Sequence, residues 1–175
     1  MSEMNMREYN AQLVEEYRAN GGKLSGQLAN SQILLLTTTG AQSGKERVTP
    51  MGYRLDGDRI VVIAANAGAH KHPDWYYNLL ARPQVTVELG AERFPARAVI
   101  ADAAERERLI EANVVPYFPA QQEKTSREIP SCSWIAQWRL KNRAIGAASG
   151  YDVIPSRTTR LDGRNLHRSA TQAPP

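Results

Sequence analysis

The chain has 175 residues, one cysteine and a formal net charge of +4, enough for one domain with a sizeable core. Its apolar runs all fall far short of the roughly 20 residues a membrane-spanning helix needs. Residues 1–130 carry 15 Lys/Arg against 16 Asp/Glu, and residues 131–175 carry 7 against 2, so the main body lacks the basic field that nucleic-acid binding requires. The single Cys132 excludes an internal disulfide. The N-terminus has neither the basic nor the apolar region of a secretory signal. The cytoplasm is therefore the expected compartment, with peripheral membrane contact at most.

In chain order, residues 6–20 predict a helix with Tyr9, Leu13, Val14 and Tyr17 on one stripe. Gly21-Gly22 stops it. After a polar linker over 23–31, three runs rich in Leu, Thr and β-branched residues, 33–39, 48–55 and 59–65, read as strands. The second and third are joined by Asp56-Gly57-Asp58, the chemistry of a tight hairpin. Pro73 at a first helical position and Asp74 in the first turn open a helix that ends near Arg82-Pro83. The segment 84–89 (QVTVEL) alternates as a half-buried strand does. The segment 92–101 is its partner across Gly90-Ala91, and Pro95 within it predicts an edge or a bulge. A helix over 103–113 capped by Asp102 follows, then a turn and short helix over 116–126. Residues 131–138 can form one more strand. Many short hairpin-joined strands with few helices predict a mainly β, α+β architecture: a small antiparallel barrel with an N-terminal helix and others packed outside it. The expected division is a domain over 1–138 and a basic, disordered tail over 139–175.

Two polar, glycine-bearing loops on such a sheet are candidate ligand loops. Gly40–Arg47 is not a nucleotide P-loop: Gly44 follows Gly40 too closely, and Lys45 precedes Glu46 rather than Ser or Thr. Its Gly residues still let backbone N–H groups approach an anion, with Ser43 as a donor and Lys45 and Arg47 as cations. His70-Lys71-His72 lacks the further ligands a metal site needs, and no metal is expected.

Four segments carry a resemblance: EEYRANGGK (15–23), LLLTTTGAQSGKERVTP (34–50), ANAGAHKHPDWYYNLLARPQVTVELG (65–90) and TSREIP (125–130). In order and spacing the span 9–130 resembles the deazaflavin-dependent nitroreductase family of actinobacteria, split β-barrel, FMN-binding-like proteins that use coenzyme F420. The resemblance implies an oxidoreductase that passes hydride from reduced F420 to a small electron-poor acceptor, a quinone or nitro compound. An FMN-dependent reductase on the same fold and a non-catalytic deazaflavin-binding protein are the alternatives, and a homodimer is left open. It further implies that Gln42, Ser43, Gly44, Lys45 and Arg47 hold the cofactor's phosphate and acidic tail. Val48, Thr49, Pro50, Met51 and Gly52 would lie along the deazaflavin. Ala64, Ala65 and Asn66 would pass close to its ring, and Trp75, Tyr76 and Asn78 would contact it from the helix start. The sequence departs from the family at Ala41-Gln42, where relatives carry a basic pair, and at Gly52, where some carry Tyr. In the later tyrosine-rich pattern it reads Val115-Pro116-Tyr117-Phe118. Phe118 keeps the aromatic ring without the hydroxyl, so solvent or a hydroxyl such as that of Tyr117 would supply the proton; Tyr117 and Phe118 are both candidates at the acceptor side.

Overall fold

The computed structural model describes residues 3–135. The elements are α1 (Glu3–Ala19), β1 (Ile33–Thr39), β2 (Glu46–Gly52), β3 (Arg54–Asp56), β4 (Arg59–Ile63), α2 (Asp74–Ala81), β5 (Gln84–Leu89), β6 (Glu92–Ile100), α3 (Ala103–Glu111), α4 (Phe118–Gln122) and β7 (Ser131–Ile135). Short 3-10 turns occupy Gly26–Leu28 and Asn66–Gly68. The tail expected over 139–175 and the domain limit at 138 lie outside the described residues.

The seven strands pair antiparallel in the order β2-β1-β5-β6-β7-β4-β3. The two edges of that order, β2 and β3, are consecutive in the chain with only Tyr53 between them, so the sheet curls until its edges are halves of one bent run. The sequence predicted an unbroken strand over 48–55. The break comes just after Tyr53, whose N–H still donates to the Gln32 carbonyl at 3.0 Å in the β1–β2 register; from Arg54 onward the chain pairs with β4 instead. On the far side β6 passes between half-sheets: Glu92 to Arg97 pair with β5, and Ala98 to Ile100 pair with β7. Pro95, opposite Thr86, sits in the half of β6 that has only β5 as a neighbour among the described residues, which is where a residue without an N–H can stand. The architecture is thus mixed α+β with antiparallel pairing. Its hydrogen bonds do not close into a barrel among the described residues.

The main core lies inside this curl. Leu34 and Leu36 from β1, Ile60 and Val62 from β4, and Val85 and Val87 from β5 meet Trp75, Tyr76 and Leu79 of α2. Leu35 points the other way and is covered by Tyr17 and Leu24 below α1. Burial on both faces explains why β1 is a continuous apolar run instead of an alternating one. Tyr9, expected on the buried stripe of α1, is exposed. The chain leaves α1 through Gly21 and Gly22, both at positive φ. A Cβ on Gly22 would sit 2.2 Å from the Gly90 Cα, so the helix stop is also the contact that docks α1 on the β5–β6 turn. Beside it the Tyr17 hydroxyl accepts from the Gly90 N–H at 2.8 Å, and Arg18 pairs with Glu88.

An ion-pair cluster ties the β3–β4 hairpin to α3. Asp56 pairs with Arg59 and Arg108, and Glu105 pairs with the same two arginines. The Arg108 hydrogen bond foremost, with Arg59 adding charge, holds the Glu105 carboxyl down at about 2. Helix α3 begins as expected, with Asp102 accepting from the Glu105 N–H at 2.8 Å. No helix of the described residues is long and apolar enough to cross a membrane.

Candidate cofactor and acceptor cleft

The loop between β1 and β2 is folded against α2. The Gly40 N–H donates to the Lys45 carbonyl and the Gly44 N–H to the Gly40 carbonyl, each at 2.8 Å. Gly44 takes φ +66 to do so. From α2, Asn78 Oδ1 accepts from the Ala41 N–H at 2.9 Å, while its Nδ2 donates to Thr38 Oγ1 at 3.0 Å. Arg82 donates to the Gly40 carbonyl at 3.1 Å. Ser43 Oγ accepts from the Lys45 N–H at 3.3 Å, which leaves its own proton free to donate. What remains at the tip is a donor set without acceptors. Among the described residues the N–H groups of Gln42 and Ser43 have no partner, and Lys45 and Arg47 make no ion pair. Glu46, also exposed, is the one carboxylate within the loop sequence.

Strand β2 carries this charge towards an apolar cleft. Its period of two puts Arg47, Thr49 and Met51 on one face, with Lys45 just before them. Val48, on the other face, packs under α1, and Met51 packs on the main core. At a rise of about 3.3 Å per residue, Lys45 and Met51 are about 20 Å apart. At the far end Met51, Gly52, Ile63, Ala65, Ala67, Trp75, Tyr117 and Gln121 line a cavity of about 310 Å³. A second cavity of about 500 Å³ adjoins it and shares Gly52 and Tyr117. It is otherwise lined by Asn30, Ser31, Gln32, Ile33 and Arg54.

Tyr117 stands between the two. A Cβ on Gly52 would lie 3.6 Å from its hydroxyl, so the absent side chain at position 52 is what gives the hydroxyl room. Burial raises the Tyr117 pKa above 10, and the Arg54 charge pulls the other way. Burial prevails, so the phenol keeps its proton at neutral pH. The Arg54 guanidinium lies 5.0 Å from the centre of the Tyr117 ring.

The third wall is the segment that follows β4, and Arg127 sets its shape. Its guanidinium donates to the carbonyls of Ala64 (3.0 Å), Ala65 (2.7 Å) and Ala69 (2.8 Å), and its NH1 lies 2.9 Å from His72 Nδ1. An arginine is always the donor, so His72 accepts at Nδ1 and is neutral. Burial and then the Arg127 charge lower its pKa. Within this frame Asn66 and Ala67 adopt φ +49 and +52. For a residue with a Cβ that conformation costs about 1–2 kcal/mol and persists only when neighbours impose it.

The structure brings Met51, Gly52, Ala65, Trp75 and Tyr117 together at the cleft. Gln42, Ser43, Gly44, Lys45 and Arg47 lie at the open loop, with Thr49 and Pro50 half-buried between. It does not bring every expected residue there. Phe118 is packed with Val61, Leu109, Val115 and Ile129 in a second core cluster and lines neither cavity. Ala64 and Tyr76 belong to the main core, Val48 lies beneath α1, and Asn66 is exposed with its amide bonded to the Lys71 carbonyl. Asn78 is spent on shaping the loop. Sequence reasoning missed Arg54, which followed an unremarkable strand residue. It also missed Arg127, visible only as one letter of the TSREIP segment.

The fold and site therefore define a small α+β protein with a donor-rich open loop at one end of β2 and a cleft lined by Met51, Trp75 and Tyr117 at the other. The chain belongs to the F420H(2)-dependent quinone reductase family, whose model matches residues 9–132. It is an oxidoreductase with coenzyme F420 as its cofactor and quinones as its acceptor class. The F420H(2)-dependent quinone reductase Rv1261c of Mycobacterium tuberculosis is 32% identical over 120 residues, covering 65% of this chain and 80% of that protein. A solved F420-H2 dependent reductase, FDR-A, is 35% identical with a TM-score of 0.52, covering 59% of this chain and 93% of that one. A solved structure described as a domain-swapped dimer is 29% identical with a TM-score of 0.55, covering 76% of this chain and 99% of that one.

Proposed function

We propose that this chain reduces quinones with F420H2 in the cleft around Tyr117, gripping the cofactor's anionic tail at the Gly40–Arg47 loop. The observation that carries the reading is the donor set of that loop: two N–H groups and two cations without a partner among the described residues, and the Ser43 hydroxyl, which accepts from the Lys45 N–H and keeps its own proton to donate. A phosphate and its carboxylate-bearing tail need such donors, and charge-assisted hydrogen bonds to them are the strong kind. Gln42, Ser43 and Gly44 present backbone, and Lys45 and Arg47 present charge. Thr49 and Pro50 lie along the path, and Met51, Gly52, Ala65 and Trp75 form the seat for the ring. Bound F420H2 supplies a hydride, two electrons with one proton, to a quinone carbonyl system, and a second proton completes the hydroquinone.

The protein's own part is orientation, exclusion of water and that second proton. Tyr117, held protonated at the junction of the two cavities, is positioned to donate it. Solvent then reprotonates the phenol. We further read the two half-sheets as a split β-barrel of the FMN-binding-like kind, formed by a domain over 1–138 with a basic tail beyond it. The likeness to a domain-swapped dimer supports a homodimer.

The test is a titration with F420 and with FMN, followed by turnover of menadione and of a nitroimidazole with F420H2. Tight F420 binding, weak FMN binding and oxidation of F420H2 by menadione are expected. Binding without oxidation, or a preference for FMN, would overturn the reading.

A further inference from the structure

Arg54 is a half-buried guanidinium whose partners are all neutral. Its NH1 donates to Gln32 Oε1 at 3.2 Å and to the Tyr53 carbonyl at 2.7 Å, and its guanidinium carbon lies 5.0 Å from the centre of the Tyr117 ring. No carboxylate pairs with it among the described residues; Asp56, two residues on, is committed to Arg59 and Arg108. Arg54 lines the larger cavity, of about 500 Å³, beside Asn30, Ser31 and Gln32. That wall offers hydroxyl and amide groups where the smaller cavity offers Met51, Ile63 and Trp75. A partly desolvated cation without a counter-charge is costly to keep. The cost is offset when a ligand brings the anion.

We infer that the larger cavity is the acceptor's tail pocket, and that Arg54 selects quinones bearing a carboxylate or similar anionic substituent over neutral or alkyl-tailed ones. The inference rests on the quinone reductase reading above and adds its substrate class. The geometry divides the labour at Tyr117. The apolar side seats the planar rings, and the quinone reaches past Tyr117 and Gly52 so that its substituent meets the guanidinium. Gln32 acts as a positioning residue. It holds one Arg54 nitrogen through its side chain, and its carbonyl holds the Tyr53 bend from which Arg54 projects.

The experiment uses the full chain loaded with F420H2 and two acceptors of one ring system: a 1,4-naphthoquinone with a 2-propanoate side chain, and its methyl ester. The carboxylate is expected to show a kcat/KM at least tenfold above the ester, expressed in KM. Its binding to the F420-free protein, followed by calorimetry, should be tighter by a similar factor. Both advantages should shrink in 0.5 M NaCl, as an ionic contact requires. Arg54→Met should bring the ratio close to one, Arg54→Lys should keep part of it, and Ser31→Asp, which adds an opposing charge to the same wall, should invert it. A ratio near one in the unaltered protein, or a ratio that survives Arg54→Met, overturns the inference. Should Arg54→Met not fold, the salt dependence and Ser31→Asp decide. Failure of both quinones to oxidise F420H2 would count against the functional reading itself, and the calorimetric comparison would still decide the role of Arg54.

Discussion

Asn78 on α2 holds Ala41 in the anion loop: its Oδ1 takes the Ala41 N–H at 2.9 Å while its Nδ2 is fixed on Thr38. The same side chain thus spans the end of β1 and the start of the loop, and it is buried. Replacing Asn78 by Leu keeps the volume and leaves the Ala41 N–H without its partner. That should cost about 1–3 kcal/mol of stability and weaken F420 binding by about tenfold. Paired thermal melts and cofactor titrations would measure both.

Arg127 and His72 make the wall over 64–72 sensitive to acid. Neutral His72 accepts from Arg127, and its folded pKa lies below the ordinary 6.5. Its contribution is therefore full above pH 6.5 and is lost as pH falls from there through the folded value. Amide exchange of 64–69, corrected for its intrinsic pH dependence, should speed up between pH 7.5 and 5.5. Arg127→Met should show fast exchange at both pH values, because three carbonyls lose their donor.

Tyr117 should act as the proton source and not as a cofactor ligand. Tyr117→Phe should lower kcat by about 10²-fold, the low end for a positioned proton donor, with F420 affinity unchanged within a factor of two. The unaltered enzyme should keep its rate past pH 10, since burial raises the phenol's pKa, and lose it only at higher pH. Steady-state pH profiles of both proteins would check this.

Gly22 should tolerate no side chain. With φ +91 and the Gly90 Cα 2.2 Å from where a Cβ would stand, Gly22→Ala combines a left-handed alanine with a backbone clash. About 3 kcal/mol or more of lost stability is expected, read as a fall in Tm. Gly21→Ala, whose Cβ would meet nothing within 4 Å, should cost only the conformational part, about 1–2 kcal/mol.

Much of this was legible in the chain because local chemistry and tertiary demand agreed. QVTVEL alternates and became β5 (Gln84–Leu89) without adjustment, and Asp102 caps α3 as its position announces. Gly21-Gly22 ends α1, and the cationic loop stands open. The losses occurred where tertiary structure overrode the local signal. Nothing in YRL says that beyond Tyr53 the chain will exchange β1 for β4 as its partner and split one strand into two. Phe118 and Tyr117 are neighbours with similar rings, and only the placement of the short α4 decides which faces the cleft and which enters the core. Arg127 and Arg54 carry no local pattern at all. Their roles arise from carbonyls and a ring up to 63 residues away in sequence.

The central claim is that the open loop between β1 and β2 grips an anionic deazaflavin tail, and the most direct measurement is F420 affinity in Lys45→Ala/Arg47→Ala. At about 1.5–3 kcal/mol for each charged hydrogen bond, the double variant should bind F420 at least about a hundredfold more weakly, with a shallower dependence of affinity on salt and an unchanged fold by circular dichroism. An affinity equal to that of the unaltered protein, in a folded variant, would contradict the account.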